Sequence, residues 1–175
     1  MRIWTIGHST RGIDEFISLL KGNEIKLLVD VRAFPGSKRY RQFNKDALAE
    51  SLNAHGIGYE HFSDLGGKRK SKPNSRNTAW RNVSFRGYAD YMETEQFQKG
   101  IQRLLEVAPE AGPTAIMCAE AVWWRCHRSL ISDYLKAREM EVLHILGENK
   151  VEPHPYTSAA RIVNGKLSYA ADSFL

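Results

Sequence analysis

Short apolar runs, each bounded by polar or turn-forming residues, recur along the chain and predict buried strands. Runs of this kind suit a parallel sheet whose two faces are both covered. They span residues 3–6, 26–31, 58–62, 114–117 and 142–146. Near the end of the chain, Asn164-Gly165 between apolar residues predicts a separate hairpin over 161–167.

Between these runs, apolar residues recur at helical spacing. They stand at i, i+3, i+4 and i+7 over residues 13–20. Asn44 and Thr94 can each cap a further helix, the first ending at 55–56. A turn is predicted over 109–113, between two prolines, and a last helix over 126–137.

Strands that alternate with helices indicate a parallel sheet with right-handed crossovers. With 175 residues, one compact domain is expected. We predict a single α/β domain over residues 1–175, with a mainly parallel sheet between helices in a Rossmann-like three-layer arrangement. A loop at about 65–89 is expected as an insertion within it, because its first half has no hydrophobic period.

The net charge of +5 comes from this loop. It has no acidic residue and seven basic ones: Lys68, Arg69, Lys70, Lys72, Arg76, Arg81 and Arg86. Trp80, Phe85 and Tyr88 lie among them, and basic side chains interleaved with aromatic rings suit single-stranded nucleic acid. The alternative is a solvated surface loop, since most runs of charge are of that kind.

No apolar run approaches the roughly 18 residues of a membrane span, and no segment resembles a signal peptide. Since there are also only two cysteines, we expect a cytoplasmic, reduced protein with no membrane partner. We expect no cofactor, and the spacing of the cysteines does not fit a zinc site. The sequence does not indicate an oligomeric state.

Polar residues follow three of the predicted strands. In a parallel sheet all the carboxyl ends lie on one edge, where ligands bind. If the first and fourth strands are neighbours, these groups form a single pocket; otherwise some of them only cap helices or form turns. The groups are His8 and Ser9, Asp30 and Arg32, and Cys118 and Glu120, with Ser37 in the Pro35-Gly36-Ser37 break.

The two cysteines have different surroundings. Cys118 ends an apolar strand, where a cysteine usually acts as a small inert hydrophobe. Cys126 stands at the predicted start of a helix beside Arg125, His127 and Arg128, where positive charge would stabilise a thiolate. Sequence cannot give the distance between the two thiols.

Arg125 and Arg128 at a helix N-terminus also predict an anion site. Glu120 is either a general base there or the partner of an arginine in an ion pair that holds the loop. Of Trp123 and Trp124, we expect one to line a ligand pocket by stacking and the other to join the core.

Six motifs occur in order between residues 5 and 128. Together they resemble the "domain of unknown function 488" family, which implies a compact bacterial or archaeal α/β protein with these motifs at one site and supplies no established activity. The motifs are Thr5-Ile6-Gly7-His8-Ser9, Asp30-Val31-Arg32 with Pro35-Gly36-Ser37, Leu65-Gly66-Gly67, Tyr88-Ala89-Asp90-Tyr91-Met92, Cys118-x-Glu120 and Cys126-His127-Arg128.

A looser likeness is to rhodaneses and cysteine phosphatases, which hold anions between a strand and a helix. The phosphatase pattern is Cys-x5-Arg. Here Cys118 and Arg125 form Cys-x6-Arg, and Cys126 and Arg128 are too close together. The chain thus departs from the phosphatase spacing, and a cysteine-dependent enzyme with a rhodanese- or phosphatase-like anion cradle stays an alternative.

The leading prediction is a protein that binds a phosphate-bearing ligand, above all nucleic acid or a nucleotide. Arg32, Arg125 and Arg128 would hold phosphate, while the loop supplies attraction through Lys68, Arg69 and Lys70 and stacking through Trp80 or Phe85. One alternative is an enzyme with Cys126 or Cys118 as nucleophile and His8 or His127 as base. Another is a redox module in which Cys118 and Cys126 form a reversible disulfide.

Overall fold

The computed structural model describes residues 1–171. Six strands form one sheet, in the order β3-β2-β4-β1-β5-β6. Neighbours are parallel except β5 and β6, which are antiparallel. The strands are β1 (Arg2–Gly7), β2 (Leu27–Asp30), β3 (Gly58–His61), β4 (Thr114–Cys118), β5 (Glu141–Gly147) and β6 (Lys150–Pro153).

Helices cover both faces of the sheet, as the sequence predicts. Residues from α1 and α2 share one buried cluster with alternate strand residues such as Ala115 and Met117. Residues from α3, α4 and α5 share the other cluster, with Ile116 and Cys118. This division follows from the alternation of side chains along a strand. The helices are α1 (Ile13–Gly22), α2 (Lys45–Asn53), α3 (Val83–Met92), α4 (Glu95–Ala111) and α5 (Arg128–Ala137).

The C-terminal hairpin consists of β7 (Arg161–Val163) and β8 (Lys166–Ser168). Asn164 and Gly165 turn the chain with φ values of 52° and 76°, the left-handed conformation that these residues adopt readily. The hairpin prediction is confirmed. Within residues 1–171, no helix has the length and apolar character needed to cross a membrane.

Two predicted boundaries are wrong, one before β4 and one after it. The turn expected at 109–113 begins inside α4, because the helix continues through Pro109 to Ala111 although the proline removes one backbone N–H donor. Gly112, with φ of 100°, ends the helix. The last helix starts at Arg128 rather than residue 126, after a 3₁₀ turn over Trp123–Arg125.

Two other features differ from expectation. The strand β6 was not predicted, because its residues are all exposed and have no apolar run. Asn44 stands at the N-cap of α2, but its side chain does not cap the helix and instead accepts a hydrogen bond from the backbone N–H of Ser37 at 2.5 Å.

The basic loop is ordered by one buried carboxylate. Asp90 of α3 accepts hydrogen bonds from the loop at 2.5–3.3 Å, and these bonds hold the pKa of Asp90 below its usual value although burial opposes this. Regular structure also resumes at Val83, earlier than expected. The donors are the hydroxyls of Ser71 and Ser75, the amide of Asn77 and the backbone N–H of Lys72.

Candidate active site

The carboxyl ends of β1, β2 and β4 lie side by side, because β4 is inserted between the other two strands. The register pairs Gly7 with Cys118 and Asp30 with Met117. Beyond the strand end, the backbone N–H of His8 donates to the carbonyl of Cys118 at 3.0 Å. The first and fourth strands are therefore neighbours, as the pocket prediction requires.

Two adjoining cavities open at this edge, and Arg32, Phe34, Ala119 and Glu120 line both of them. One cavity, which we call the thiol cavity, has a volume of about 310 Å³. The other, the histidine cavity, has about 420 Å³. The thiol cavity is also lined by Cys118, Cys126, His127, Arg125, Lys68 and Tyr88, and the histidine cavity by His8, Ser9, Ser37 and Tyr40.

Cys126 lies among groups that favour a thiolate. Its Sγ is 3.5 Å from Nδ1 of His127 and accepts from the backbone N–H of Arg128, also at 3.5 Å. The thiol of Cys118 donates to the carbonyl of Glu120 at 3.8 Å and lies near enough to Cys126 for each thiol to shift the pKa of the other. Both cysteines are buried and free. The two thiols are thus neighbours, which the sequence could not decide.

Sulfur occupies the position that we expected an external anion to take. The helix α5 begins at Arg128, so its first N–H points at Cys126 Sγ, while the N–H of Ser129 bonds the carbonyl of Cys126 at 3.0 Å. A helix N-terminus favours negative charge, and here the charge can be that of the thiolate.

The pKa values of the two cysteines are shifted in opposite directions. Burial raises the pKa of Cys118 well above its usual value. Burial also opposes ionisation of Cys126, but the neighbouring thiol of Cys118 and the positive charge of Arg128 outweigh it and lower the pKa of Cys126. Cys126 is therefore the cysteine that ionises first.

His127 is held as a proton acceptor for this thiol. Its Nε2 is 2.7 Å from the backbone carbonyl of Val31, which can only accept, so Nε2 holds the proton and Nδ1 is free to receive one. Burial lowers the pKa of His127, so the ring is neutral near pH 7. Gly67 makes room for the ring, because a Cβ there would lie 2.9 Å from Nδ1.

Asp30 is engaged in holding Arg32. Its two oxygens accept from Nε and Nη2 of Arg32 at 2.9 and 2.7 Å, and the hydroxyl of Tyr59 donates to it at 2.6 Å. This buried pair turns Nη1 of Arg32 toward Nε2 of His8, at 3.4 Å. Asp30 thus positions a cation between the two cavities.

His8 is a neutral ring with one free nitrogen. Nδ1 lies 2.9 Å from the carbonyl of Ser9 and so holds the proton, which leaves Nε2 as an acceptor toward Arg32. Phe43 stacks on the ring with centroids 4.4 Å apart. Burial lowers the pKa of His8.

A family model described as "Domain of unknown function DUF488" matches residues 12–135, which is more than half of the chain. The chain belongs to the DUF488 family. No curated protein and no solved structure matches it. Within the DUF488 match lie both cysteines, His127 and the Asp30–Arg32 pair, while His8 precedes it.

The other basic residues predicted for this DUF488 site divide into two groups. Lys68 and Arg125 are exposed and line the thiol cavity. Arg69 instead stacks on Tyr91, with its guanidinium 3.7 Å from the ring centroid, and bonds the carbonyl of Gly66. Lys70 is exposed and does not line either cavity.

Arg128 differs from its predicted role as a phosphate ligand. It is fully buried, and its Nη2 donates to the carbonyls of Glu120 and Ala121 at 2.8 and 3.3 Å. It therefore lines neither cavity. The side chain of Glu120 is exposed, and none of the ion pairs described between residues 1 and 171 includes it.

The aromatic residues also divide. Trp80 packs against Phe85 and Tyr169 and lies outside both cavities, so the stacking role expected for it is not supported. Trp124 is 51% exposed beside Arg125. Trp123 stacks on His144 with centroids 4.7 Å apart, and neither tryptophan lines the two cavities or joins the buried core, so the roles expected for them are not supported.

Sequence reasoning missed three residues of the DUF488 site. Phe34 is 76% exposed between the cavities, Tyr59 binds Asp30, and Tyr88 packs on His127 with ring centroids 4.9 Å apart. Their motif neighbours gave a signal, since Phe34 follows Arg32 closely and Tyr88 opens a motif. In the described part of the chain, no group of three or more His, Cys, Asp and Glu side chains is arranged so that it could hold a metal ion.

Proposed function

We propose that this protein is a cysteine-dependent enzyme that acts on an anionic substrate, with Cys126 as the nucleophile. One observation carries the proposal. In an open cavity, Cys126 Sγ lies beside the thiol of Cys118, the backbone N–H of Arg128 and the free nitrogen of His127. Thiolates, not thiols, are the nucleophiles, so a site that stabilises a thiolate suits attack on an electrophile.

Each neighbour has a role in this proposal. His127 Nδ1 accepts the thiol proton as Cys126 attacks, because its other nitrogen is fixed by Val31. Cys118 keeps its proton, and its thiol lowers the pKa of the neighbouring Cys126. The cations at the mouth of the cavity, Arg32, Lys68 and Arg125, would hold the anionic group of the substrate.

Alkylation by iodoacetamide, measured against pH with the modified peptide identified by mass spectrometry, tests the proposal. We expect Cys126 to be labelled in the native protein with a midpoint below the ordinary thiol pKa of about 8.5. Cys118 should be labelled only in denaturant, since burial raises its pKa. A cytoplasmic location, as expected from the sequence, would keep both thiols reduced.

Matched variants make the result specific. Cys126→Ser should abolish native labelling, whereas Cys118→Ala should leave Cys126 labelled with a higher midpoint, because it removes the neighbouring thiol that lowers the pKa of Cys126. Native protein in which both thiols resist labelling until denaturant is added would overturn the proposal.

A second candidate is binding of a phosphate-bearing ligand, above all nucleic acid or a nucleotide. It is favoured by Lys68 and Arg125 beside an exposed aromatic ring, with Nζ of Lys68 5.5 Å from the ring centroid of Phe34. Basic side chains would meet phosphates while the ring of Phe34 or Trp124 stacks on a base.

Titration of fluorescent single-stranded oligonucleotides at several salt concentrations tests this candidate. The logarithm of the association constant should fall by about 0.7 per neutralised phosphate for each tenfold rise in salt. Lys68→Ala with Arg125→Ala should flatten this slope, while Lys99→Ala, an exposed cation on α4, should not. Affinity that is absent or independent of salt would rule the candidate out.

A further inference from the structure

Arg128 is a buried cation that forms no ion pair with a carboxylate of residues 1–171. Its side chain is fully buried. Apart from two backbone carbonyls, its guanidinium meets the hydroxyl of Thr5, to which Nη1 donates at 3.2 Å. Its Nε has no hydrogen-bond partner within residues 1–171. A charge in such a place needs compensation from elsewhere.

A chain of buried hydrogen bonds runs from Thr5 to a carboxylate. Thr5 Oγ1 lies 2.5 Å from Nδ1 of His144, and Nε2 of His144 lies 2.8 Å from Nδ1 of His154. Nε2 of His154 then lies 2.8 Å from Oδ1 of Asp133. All four side chains are buried, and the chain crosses from β1 through β5 to α5.

The carboxylate end of this chain is held by donors alone. Asp133 also accepts from the backbone N–H and hydroxyl of Thr157 and from the hydroxyl of Tyr169, at 2.6–3.0 Å, so its two oxygens have no place for a proton. The Nε2–H of His154 therefore donates to Asp133.

Thr5 and His144 complete the chain. Burial above all lowers the pKa of His144 to about 2, so its ring is neutral and has one nitrogen that donates and one that accepts. The hydroxyl oxygen of Thr5 accepts from Arg128 and is hydrogen-bonded to Nδ1 of His144. Hydrogen bonds thus join a positive end at Arg128 to a negative end at Asp133.

We propose that Thr5, His144, His154 and Asp133 form a buried relay that positions the Arg128 guanidinium beside Cys126 and so sets the reactivity of that thiol. The inference rests on the proposed function, in which Cys126 is the nucleophile. The relay residues are positioning residues, because none of them lines the thiol cavity.

Arg128 is the link between the relay and the sulfur. Its charge, its backbone N–H and its side chain all lower the pKa of Cys126. The other titratable groups that face Cys126 are Cys118 from β4, Tyr88 from α3 and the adjacent His127. None of these three is a cation near pH 7, because burial keeps His127 neutral and raises the pKa of Cys118 and Tyr88.

The pair Thr5→Val and Thr5→Ser tests the relay. Valine keeps the shape of threonine but removes the hydroxyl that joins Arg128 to His144, whereas serine keeps the hydroxyl. We expect Thr5→Val to slow iodoacetamide labelling of Cys126 at about pH 6.5 roughly tenfold, with the midpoint about one pH unit higher. Thr5→Ser should restore the wild-type midpoint.

The outcomes separate this inference from the proposed function. If wild-type Cys126 is labelled below pH 8.5 and Thr5→Val keeps that midpoint, the relay is refuted and the nucleophile stands. If wild-type Cys126 is itself unreactive until denatured, the proposed function fails first. A purely structural role for Thr5 would lower the midpoint of urea unfolding without moving the pH midpoint of labelling.

Nitrogen-15 NMR of the imidazole rings tests the relay in the wild-type protein and does not depend on a variant that folds. His144 should be neutral near pH 7, with one ring nitrogen protonated and hydrogen-bonded within the chain. A doubly protonated His144 near pH 7, or a His144 ring proton that exchanges as fast as in free histidine, would overturn the relay.

Discussion

At the scale of single residues, the two cysteines show how surroundings decide the chemistry of one side-chain type. Cys118 is a strand-end residue buried on the sheet, and burial keeps its proton on. Cys126 is equally buried but lies at the first N–H of α5, beside Arg128. Burial therefore keeps Cys118 protonated, whereas the surroundings of Cys126 favour its thiolate.

Local sequence was enough to single out Cys126 but not to assign its partners. Its cationic neighbours in the chain predicted a low pKa, and the direction of the shift agrees. The tautomer of His127 is set by Val31, which is 96 positions away, and only the parallel sheet brings the two together. A reversible Cys118–Cys126 disulfide stays a prediction, now supported by the proximity of the thiols.

At the scale of elements, α3 is fitted against the basic loop through a glycine. A Cβ on Gly87 would lie 2.1 Å from the carbonyl oxygen of Arg69 and 2.8 Å from the backbone N of Ser71, so the loop backbone crosses the helix at this position. The start of α3 was predicted too late, because its first turn has an exposed Val83 and no inward stripe. The spacing of apolar residues cannot reveal the end of a helix that packs on the polar backbone of a loop.

Gly87→Ala should therefore destabilise the protein although alanine favours helices. The propensity gain of about 1 kcal/mol is outweighed by overpacking against backbone that has no room to move, typically 1–3 kcal/mol or more. Urea unfolding gives the measurement. Gly22→Ala in α1 is the matched control, because a Cβ there meets nothing within 4 Å, and it should leave stability unchanged or higher. Equal effects of the two substitutions would contradict the close crossing.

At the scale of the whole molecule, the buried charges are balanced in three different ways. Asp30 pairs directly with Arg32, Asp90 is surrounded by neutral donors from the basic loop, and Asp133 meets Arg128 through Thr5 and two histidines. The three-layer fold could be predicted from alternating strands and helices. Asp30 and Arg32 are close in sequence, but the balances around Asp90 and Asp133 could not be predicted, because their partners are distant in sequence and depend on how the elements pack.

The buried chain that contains His144 makes the free energy of unfolding of the whole protein depend on pH. His144 has a pKa of about 2 in the folded state against an ordinary value of 6.5, so below pH 6.5 the unfolded chain binds a proton that the folded chain does not. The free energy of unfolding should fall by about 1.4 kcal/mol per pH unit from this residue alone, and the lowered pKa values of His8 and His127 act in the same direction.

Urea unfolding at about pH 7.5 and about pH 5.5 would measure this loss, since the interval spans the pH at which a free histidine is protonated. His55→Gln is the control, because His55 is exposed and lies outside the relay, and its variant should lose stability by the same amount as the wild type. Equal stability at the two pH values would show that the buried histidines are not held neutral, and would remove the physical basis for the Thr5–His144–His154–Asp133 chain.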